Sequence, residues 1–384
     1  MAVSQAVRET APVVPAGDAI ALRDGNAAFA FDLQRALAKS DANLAFSPYS
    51  ISLALAMTYA GARGTTATEI ASTLHFGLPA AQLHPAFDAV DLAITSRGPV
   101  TIATSLWGSP TIAYEAPFLD TLATSYGSGV RLTDFFSPEP ARAEINRWVS
   151  DQTEEKIVDL LPDGSISSKT KLVLVDAIHF KAAWQNRFTA ALTAPGMFHA
   201  ARGDVRTPMM SREATLAYAA GEGYEAVALP YEGGAFSMLA IVPDDLAAFE
   251  AKLDAATWEQ IGSSLHQQSV VVTLPKVKIN GGSIALTDTL KARGMPTAFS
   301  NLADFSAMTS APVYIDNVFH EAFVAIDEDG SEAAAATAVV VDVDGSIVPN
   351  APNPIAVTLD RPFVFAIRDD ATGAILFLGH IVTP

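Results

Sequence analysis

Residues 331–344 form an alternating tract that constrains the fold more than any other part of the chain. The residues of one phase are small or apolar throughout: Ser331, Ala333, Ala335, Thr337, Val339, Val341 and Val343. The other phase carries all three acids of the tract: Glu332, Ala334, Ala336, Ala338, Val340, Asp342 and Asp344. A period of two is the pattern of a β-strand with one buried face. The alternation therefore predicts a latent strand with one small or apolar face.

A helix over Glu332 to Ala338 is the alternative interpretation, because alanine is the best helix former. The valines from Val339 to Val343 oppose a helix, since β-branched side chains favour strands. The surrounding segment 328–361 follows one strand pattern and leads into another, so it begins and ends at the edge of a sheet. An exposed strand of this kind would promote aggregation unless the fold has a place for it.

The rest of the chain predicts an α+β fold. Helical spacing and apolar runs predict helices at Asn26–Lys39, at Pro48–Ala62, from a capping box at Thr66–Glu69 through Leu74, and from Ser137 past Trp148. β-branched and aromatic runs predict strands at Val100–Trp107, Lys171–Phe180, Phe236–Val242, Val270–Leu274, Val313–Ile326, Ile355–Ile367 and Ala374–Val382, with a turn at Asp369–Gly373. Helices dominate the first half and strands the second, unlike the regular alternation of a doubly wound sheet.

No linker or repeat divides the 384 residues. We predict a poorly structured N-terminal extension over residues 1–20 and one domain over residues 21–384. No apolar run reaches the roughly 20 residues of a membrane-spanning helix, and residues 1–17 lack a signal-peptide pattern. A net charge of −18 disfavours nucleic acid and heparin as partners and is typical of a soluble protein. The absence of cysteine excludes disulfides and thiolate chemistry but leaves the compartment open.

Patterns of conventional active sites are missing. The sequence has no G-x-S-x-G elbow, no H-E-x-x-H, no phosphate-binding loop and no dinucleotide fingerprint. The seven histidines, at 75, 84, 179, 199, 266, 320 and 380, show no metal-ligand spacing. The acids Asp327, Glu328, Asp329 and Glu332 are followed by alanines rather than by calcium ligands. We expect no enzyme activity, no metal and no cofactor.

The run from Gly330 to Thr337 resembles the hinge of inhibitory serpins, a family of protease inhibitors. The resemblance extends over nearly the whole chain through motifs that occur in the family's order: Asn43–Pro48 with Ser50, Gly61–Thr66, Asp159–Leu161, Phe180–Lys181 with Trp184, Leu274–Lys276, Ala303–Ser306, His320, Ala322–Phe323, Arg361–Phe363 and Gly379. It implies helices packed on a large central mixed sheet, smaller sheets, and an exposed reactive-centre loop, here residues 328–361.

The resemblance also implies a mechanism. A target protease attacks the loop and forms an acyl-enzyme, and the cleaved loop then enters the central sheet as a new strand. The implied hinge comprises Glu328, Gly330, Ser331, Glu332, Ala333, Ala334, Ala335, Ala336 and Thr337. The intact protein would then be a metastable monomer, a suicide substrate rather than an enzyme. A carrier, storage protein or chaperone with the same fold but no inhibitory activity is the alternative.

A second set of residues matches the family's control of sheet opening. Ser47, Ser50 and His320 match a polar network beneath the central strands, in which Asp176 replaces the usual asparagine. An ion pair between Asp176 and His320 would make insertion pH-sensitive. A set of hydrogen-bonded core polar groups is the simpler interpretation. Trp184 and Glu328 match positions at the top of the sheet, where insertion begins, although Trp184 also suits a plain core position.

Family spacing from Glu328 places the scissile bond between Asp344 and Gly345, where the alternation also ends. Aspartate before the bond would suit a caspase-like or granzyme-like protease, whereas Val341 or Val343 would suit an elastase-like or subtilisin-like enzyme. No Lys or Arg lies between Asp329 and Asp360, so a trypsin-like target is disfavoured. The loop is several residues longer than the family's through Val348–Pro354, which leaves the bond open and permits a second site near Asn350.

Overall fold

The computed structural model describes residues 1–39, 41–280, 282–331 and 353–384. Its α-helices are α1 (Ala16–Leu37), α2 (Pro48–Tyr59), α3 (Gly64–Thr73), α4 (Ala80–Thr95), α5 (Ala116–Tyr126), α6 (Pro138–Gln152), α7 (Leu246–Glu250), α8 (Ala255–Ser264) and α9 (Thr287–Arg293). Short 3₁₀ turns lie at Ala190–Leu192 and Thr297–Phe299.

The strands concentrate in the second half, as the sequence predicts. They are β1 (Leu44–Phe46), β2 (Val100–Gly108), β3 (Val130–Leu132), β4 (Leu172–Phe180), β5 (Ala182–Ala183), β6 (Ala194–Ala200), β7 (Gly203–Gly221), β8 (Tyr224–Pro230), β9 (Phe236–Pro243), β10 (His266–Pro275), β11 (Val277–Asn280), β12 (Ile284–Ala285), β13 (Asn317–Ile326), β14 (Gly330–Ser331), β15 (Ile355–Thr358), β16 (Phe363–Asp369) and β17 (Ile375–Ile381).

Two large sheets organise these strands. The central sheet has the order β3-β2-β4-β13-β14-β5, with β11 and β12 also paired to β13. The second sheet has the order β1-β17-β16-β9-β8-β7-β10-β15, with β6 paired to β7. Most neighbours are antiparallel, but β4 and β13 run parallel from the pair Val173 and Asn317 to the pair His179 and Phe323. These two strands lie in the middle of the central sheet.

Both faces of the central sheet are covered. Every residue of β4 is buried, which explains its unbroken apolar sequence. One face joins the main core, through residues such as Ile178 and Val324. The other face packs under α6 in a separate cluster that includes Ile145, Val149 and Phe319. Any strand added between β4 and β13 would therefore need small side chains on both of its faces.

The α+β prediction is confirmed, and the structure corrects four details. Ile355–Ile367 is not one strand, because the strand is interrupted around Arg361–Pro362. The first part, β15, pairs with β10, and the second part, β16, pairs with β9. Strands β6, β7 and β8 were not predicted. Thr66 caps no helix: α3 begins at Gly64, and the Thr66 hydroxyl accepts a bond from the Asp304 N–H. The predicted boundary at residue 20 falls inside α1, and residues before it make specific contacts, described below.

Candidate functional site

The hinge begins as a short strand at one end of the central sheet. In β14, Ser331 pairs antiparallel with Ile326 of β13 and with Ala182 of β5. Gly330 also pairs with Ala183. β14 therefore lies between the continuation of β4 and the end of β13, at the level where those two strands part.

Ser331 is held in the core by aromatic side chains. It is buried, and its hydroxyl lies 2.6 Å from the hydroxyl of Tyr231. The Tyr231 ring stacks on Trp184 with a centroid distance of 4.5 Å. The Trp184 indole N–H donates to the carbonyl of Asp327 at 2.9 Å, and its backbone N–H donates to the carbonyl of Asp329 at 2.8 Å. Trp184 is thus a core residue whose two N–H groups also fix the start of the loop.

Gly330 is required by close packing rather than by its backbone angle. A Cβ added there would lie 2.1 Å from the Ala182 carbonyl oxygen and 2.7 Å from the Ala183 Cα, far below any contact distance. Its φ is not in the left-handed region. Gly330 is therefore explained by its lack of a side chain.

Glu328 ties the base of the loop to the second sheet. Its carboxylate accepts a hydrogen bond from Lys276 Nζ at 2.6 Å and another from the Thr193 hydroxyl at 2.8 Å. Burial acts to raise the pKa of Glu328, but the hydrogen bonds, first among them that from Lys276, outweigh it and lower the pKa. The carboxylate is therefore ionised and partnered at the position from which the loop departs.

A buried polar cluster joins β4, β13, β2 and α2 farther down the sheet. The Asp176 carboxylate accepts from the Ser50 hydroxyl at 2.6 Å and from the Thr104 hydroxyl at 2.7 Å. Its Oδ2 also lies 2.7 Å from Nδ1 of His320. Ser47 caps α2 and donates its backbone N–H to Nε2 of His320 at 2.9 Å. Three donors on one carboxylate indicate that Asp176 is ionised.

The same contacts assign the protonation of His320. A backbone N–H can only donate, so Nε2 must accept and carries no proton. Nδ1 then carries the proton and donates it to Asp176. His320 is a neutral imidazole in this geometry, which corrects the predicted ion pair. The cluster is a carboxylate bonded to three neutral donors.

The structure brings the sequence-derived candidates together at two places in the central sheet. Glu328, Gly330, Ser331 and Trp184 meet at the end of the central sheet, and Ser47, Ser50, Asp176 and His320 meet between β4 and β13. The hinge residues Glu332–Thr337 and the candidate bond residues Val341, Val343, Asp344 and Gly345 lie outside the described residues.

Sequence reasoning missed four partners of these sites. Thr104 lies directly opposite Asp176 in the β2–β4 register, and Tyr231, Lys276 and Thr193 come from the second sheet or its connections. A strand pairing between β2 and β4 would have indicated Thr104. Lys276 was noted only as part of the Leu274–Lys276 motif, and nothing local marked Tyr231 or Thr193, since their roles depend on how the two sheets meet.

The described residues contain neither a candidate metal site nor a membrane-spanning helix. Among the residues that the structure describes, no cluster of three His, Cys, Asp or Glu side chains could hold a metal ion. Across the same ranges, none of the helices combines the length and apolarity needed to span a bilayer.

Comparisons with known proteins agree with this architecture. Residues 24–384 match the family model described as serpin, serine protease inhibitor. Human leukocyte elastase inhibitor is 34% identical over 94% of this chain and 99% of its own. A serpin-like protein of Thermococcus kodakarensis is 36% identical over 93% of this chain and 84% of its own.

Solved structures show the same fold. The native thermophilic serpin tengpin superposes with a TM-score of 0.88 at 26% identity, over 100% of this chain and 98% of its own. Thyroxine-binding globulin complexed with thyroxine gives 0.84 at 30% identity, over 94% and 99%.

Proposed function

The chain belongs to the serpin family, and from that premise we propose that it is a suicide inhibitor that traps a protease by inserting its cleaved loop between β4 and β13. The protease would be held as a covalent acyl-enzyme, because it is carried away from the cleaved end before it can complete hydrolysis. Insertion of about 14 residues at about 3.3 Å each would move the protease by roughly 45 Å. The intact monomer would then be metastable.

The register of β14 is the observation that carries this proposal. Ser331 is level with Ile326 of β13 and with Ala182 of β5, which are 144 positions apart. Every pair between β13 and β4, such as Asn317 with Val173, is also 144 positions apart. A strand that continued from Ser331 could therefore pair with both neighbours without either one sliding along its axis. In that register residue 340 would lie opposite both Asn317 and Val173.

The side chains of the tract suit that position. In the continued register Ala333 and Ala335 would lie beside Val324 and Ala322 of the main core. Ala334 and Ala338 would lie beside Phe323 and Phe319, under α6. Both faces of this sheet are buried, so alanine on both faces is what an inserted strand requires. This explains a run of alanines that neither an exposed loop nor a half-exposed strand would need.

Thr337 interrupts the alanines at a defined level. In the same register it would lie opposite both His320 and Asp176, which now pair directly with each other. An inserted strand would separate these two residues by one additional strand spacing, about 4.8 Å, and break their hydrogen bond. A hydroxyl both donates and accepts, so Thr337 could satisfy the carboxylate and the imidazole after they separate.

The decisive experiment is thermal. A non-target protease would be used to cut the loop, and the melting temperatures of the intact and cut proteins would be compared. We expect the cut protein to melt well above the intact protein, because insertion adds a strand's hydrogen bonds and burial. A cut protein that melts no higher than the intact protein would refute the mechanism.

Ser331→Arg tests inhibition directly. An arginine cannot be accommodated in the buried Ser331 position beside Tyr231, so the variant should be cleaved without forming a gel-stable complex. Glu332→Ala, one residue farther, is the matched control and should still form the complex. Equal complex formation by both variants would show that β14 does not start the inserted strand.

The class of the target protease is inferred from the loop sequence. We propose a serine protease with non-basic specificity, cut at Asp344–Gly345 or after Val341 or Val343. The relatives named for elastase favour the valine alternative. Mass spectrometry of the small fragment released by a panel of proteases identifies the bond. A fragment that begins after a residue outside 341–344 would contradict the assignment.

A carrier or other non-inhibitory role is the competing function. Thyroxine-binding globulin, which has this fold, is seen in complex with thyroxine, and this supports a carrier role as the alternative. A gel-stable covalent complex with any serine protease separates the two roles.

A further inference from the structure

The first nine residues follow the edge of the central sheet as an extended segment. The backbone of Ala2 exchanges two hydrogen bonds with Val130 of β3, at 2.7 and 2.9 Å. The backbone N–H of Glu9 donates to the carbonyl of Thr124 in α5 at 2.9 Å. Exposure alternates over the first five residues, with Ala2 and Ser4 half-buried and Val3 and Gln5 exposed. We call residues 1–9 the strap.

Arg8 anchors the other end of the strap to α4. Its guanidinium bonds Asp88 at 2.8 Å and Asp91 at 2.5 Å. The Asp88 side chain is 1% exposed, and its second oxygen has no hydrogen-bond partner among the described residues. Burial raises the pKa of Asp88, and Arg8 opposes that rise. The strap therefore supplies the counter-ion of a buried carboxylate.

Two glycines make room for the strap. A Cβ at Gly129 would lie 2.5 Å from the Ala2 carbonyl oxygen, and a Cβ at Gly127 would lie 2.8 Å from the Arg8 side chain. Gly127 has φ of 57°, which explains a glycine on its own. Gly129 does not have positive φ, so its lack of a side chain serves the close approach of Ala2. The domain surface is shaped for this segment.

The strap connects parts of the molecule that insertion would displace. β3, β2 and β4 lie on one side of the place where a new strand would enter, and β13 lies on the other. Insertion would shift these two groups apart by about 4.8 Å. α4 packs on β2 but also on α1, which packs against β17 of the second sheet. We take β3 to move with β2 and β4 while α4 stays with α1, and a relative shift of that size exceeds what a hydrogen bond of 2.7–2.9 Å tolerates.

We propose that the strap is a clamp that stabilises the closed central sheet by fastening β3 to α4 and α5, and that its release makes the sheet open faster. This inference rests on the proposed function, because it concerns the opening that insertion needs. The exposed Val3 and Val7 make the strap accessible to displacement or proteolysis.

The test measures sheet opening with a synthetic peptide of residues 331–344, labelled at its N-terminus. Its rate of incorporation into the intact protein is followed for the full chain and for a chain without residues 1–9. We expect the truncated chain to incorporate the peptide about tenfold faster, since three backbone hydrogen bonds and the two ion pairs of Arg8 no longer hold the closed sheet. Equal rates would overturn the clamp.

Point variants keep the test independent of truncation. Gly129→Ala should expel the strap from β3 and accelerate incorporation in the full chain, but add nothing when residues 1–9 are absent. Gly77→Ala is the matched control, because a Cβ at that exposed glycine meets nothing within 4 Å. Should the truncated chain fail to fold, Gly129→Ala and Arg8→Ala decide, and an unchanged rate in both overturns the clamp.

The two proposals fail differently. If the full chain incorporates the peptide and gains thermal stability on cutting, but the strap variants behave like the full chain, only the clamp is wrong. If no form incorporates the peptide and cutting brings no gain, the insertion mechanism itself is wrong, and the clamp is refuted with it.

Discussion

His320 of the central sheet and His380 of the second sheet are both fully buried, and both point Nδ1 at a carboxylate 2.7 Å away. They differ at Nε2. His320 faces the N–H of Ser47, whereas His380 faces the carbonyl of Ala42 at 2.9 Å. A carbonyl can only accept, so His380 donates from Nε2, and with Nδ1 directed at Glu250 it is stabilised as an imidazolium.

The difference follows the roles of the two sheets. His380 lies where β1 pairs with β17, and the proposed mechanism does not separate these two strands. An ion pair at this place can therefore be permanent. The contact between His320 and Asp176 must break under the proposed mechanism. Breaking a buried ion pair costs about 3–5 kcal/mol, more than separating a carboxylate from a neutral donor that finds a new partner. If the central sheet opens as proposed, a neutral histidine suits it better than an ion pair.

Two glycines give the largest expected contrast between the sheets. A Cβ at Gly379 would lie 1.9 Å from the Leu44 carbonyl, between β17 and β1, much as one at Gly330 meets Ala182. Gly379→Ala should lower the free energy of unfolding by about 3 kcal/mol, since β17 cannot move away. Gly330→Ala should cost less in the intact protein, because only the two-residue β14 must shift. Urea unfolding of both variants measures the contrast, and equal losses would contradict it.

His380→Gln should cost about 2 kcal/mol near pH 6, the contribution of a hydrogen-bonded charged pair. Burial acts to lower the pKa of His380, but Glu250 outweighs it and the pKa is raised. A raised histidine pKa means that the stabilisation is complete below the unfolded value of about 6.5 and is lost as pH rises through the folded pKa. Stability curves from pH 5 to pH 9 should therefore converge at high pH. The exposed His266→Gln is the control, and a constant difference across pH would sink the imidazolium assignment.

Thr337→Val should destabilise the cut protein by about 1–2 kcal/mol and leave the intact protein unchanged. In the inserted register the hydroxyl replaces the direct contact between Asp176 and His320, and valine has the same shape without it. Melting temperatures of the intact and cut forms provide the measurement, with Thr383→Val as a control outside the loop. Equal shifts in both forms would show that Thr337 does not reach the cluster.

Asp176→Asn should change stability by about 1 kcal/mol and leave the pH profiles of inhibition and melting with the same shape. A neutral His320 can donate Nδ1–H to an amide oxygen as it does to the carboxylate, and the amide nitrogen can donate to a hydroxyl. A profile that flattens between pH 5 and pH 8 would instead support an ion pair at this cluster.

Glu328→Gln should have the smallest effect, about 0.5 kcal/mol, because its partner Lys276 is 41% exposed and solvent weakens the pair. Salt should reduce the difference between wild type and variant. A loss above about 2 kcal/mol would mean that this contact holds the sheet end more firmly than its exposure indicates.

Much of this molecule could be predicted from local patterns. Apolar runs predict β4 and β13, an almost wholly apolar sequence predicts a buried α2, and the period of two predicts a strand in the tract after Gly330. The capping box predicted at Thr66 was wrong because its hydroxyl bonds the distant Asp304. The single strand predicted over Ile355–Ile367 was wrong because it ignored the polar residues and the proline at 360–362, which separate β15 from β16. The strap was missed because Ala2 and Arg8 gain partners only from β3 and α4.

The order of small and β-branched residues by itself predicted a strand pattern over residues 331–344 and a resemblance to the serpin fold, because periodicity and propensity act through neighbours in sequence. Only the tertiary structure decided the register that sets Ser331 level with both Ile326 and Ala182, the neutral state of His320 and the charge of His380. Those depend on which donor or acceptor a distant strand presents, and on how two separate strands align, and neither is encoded in any local pattern.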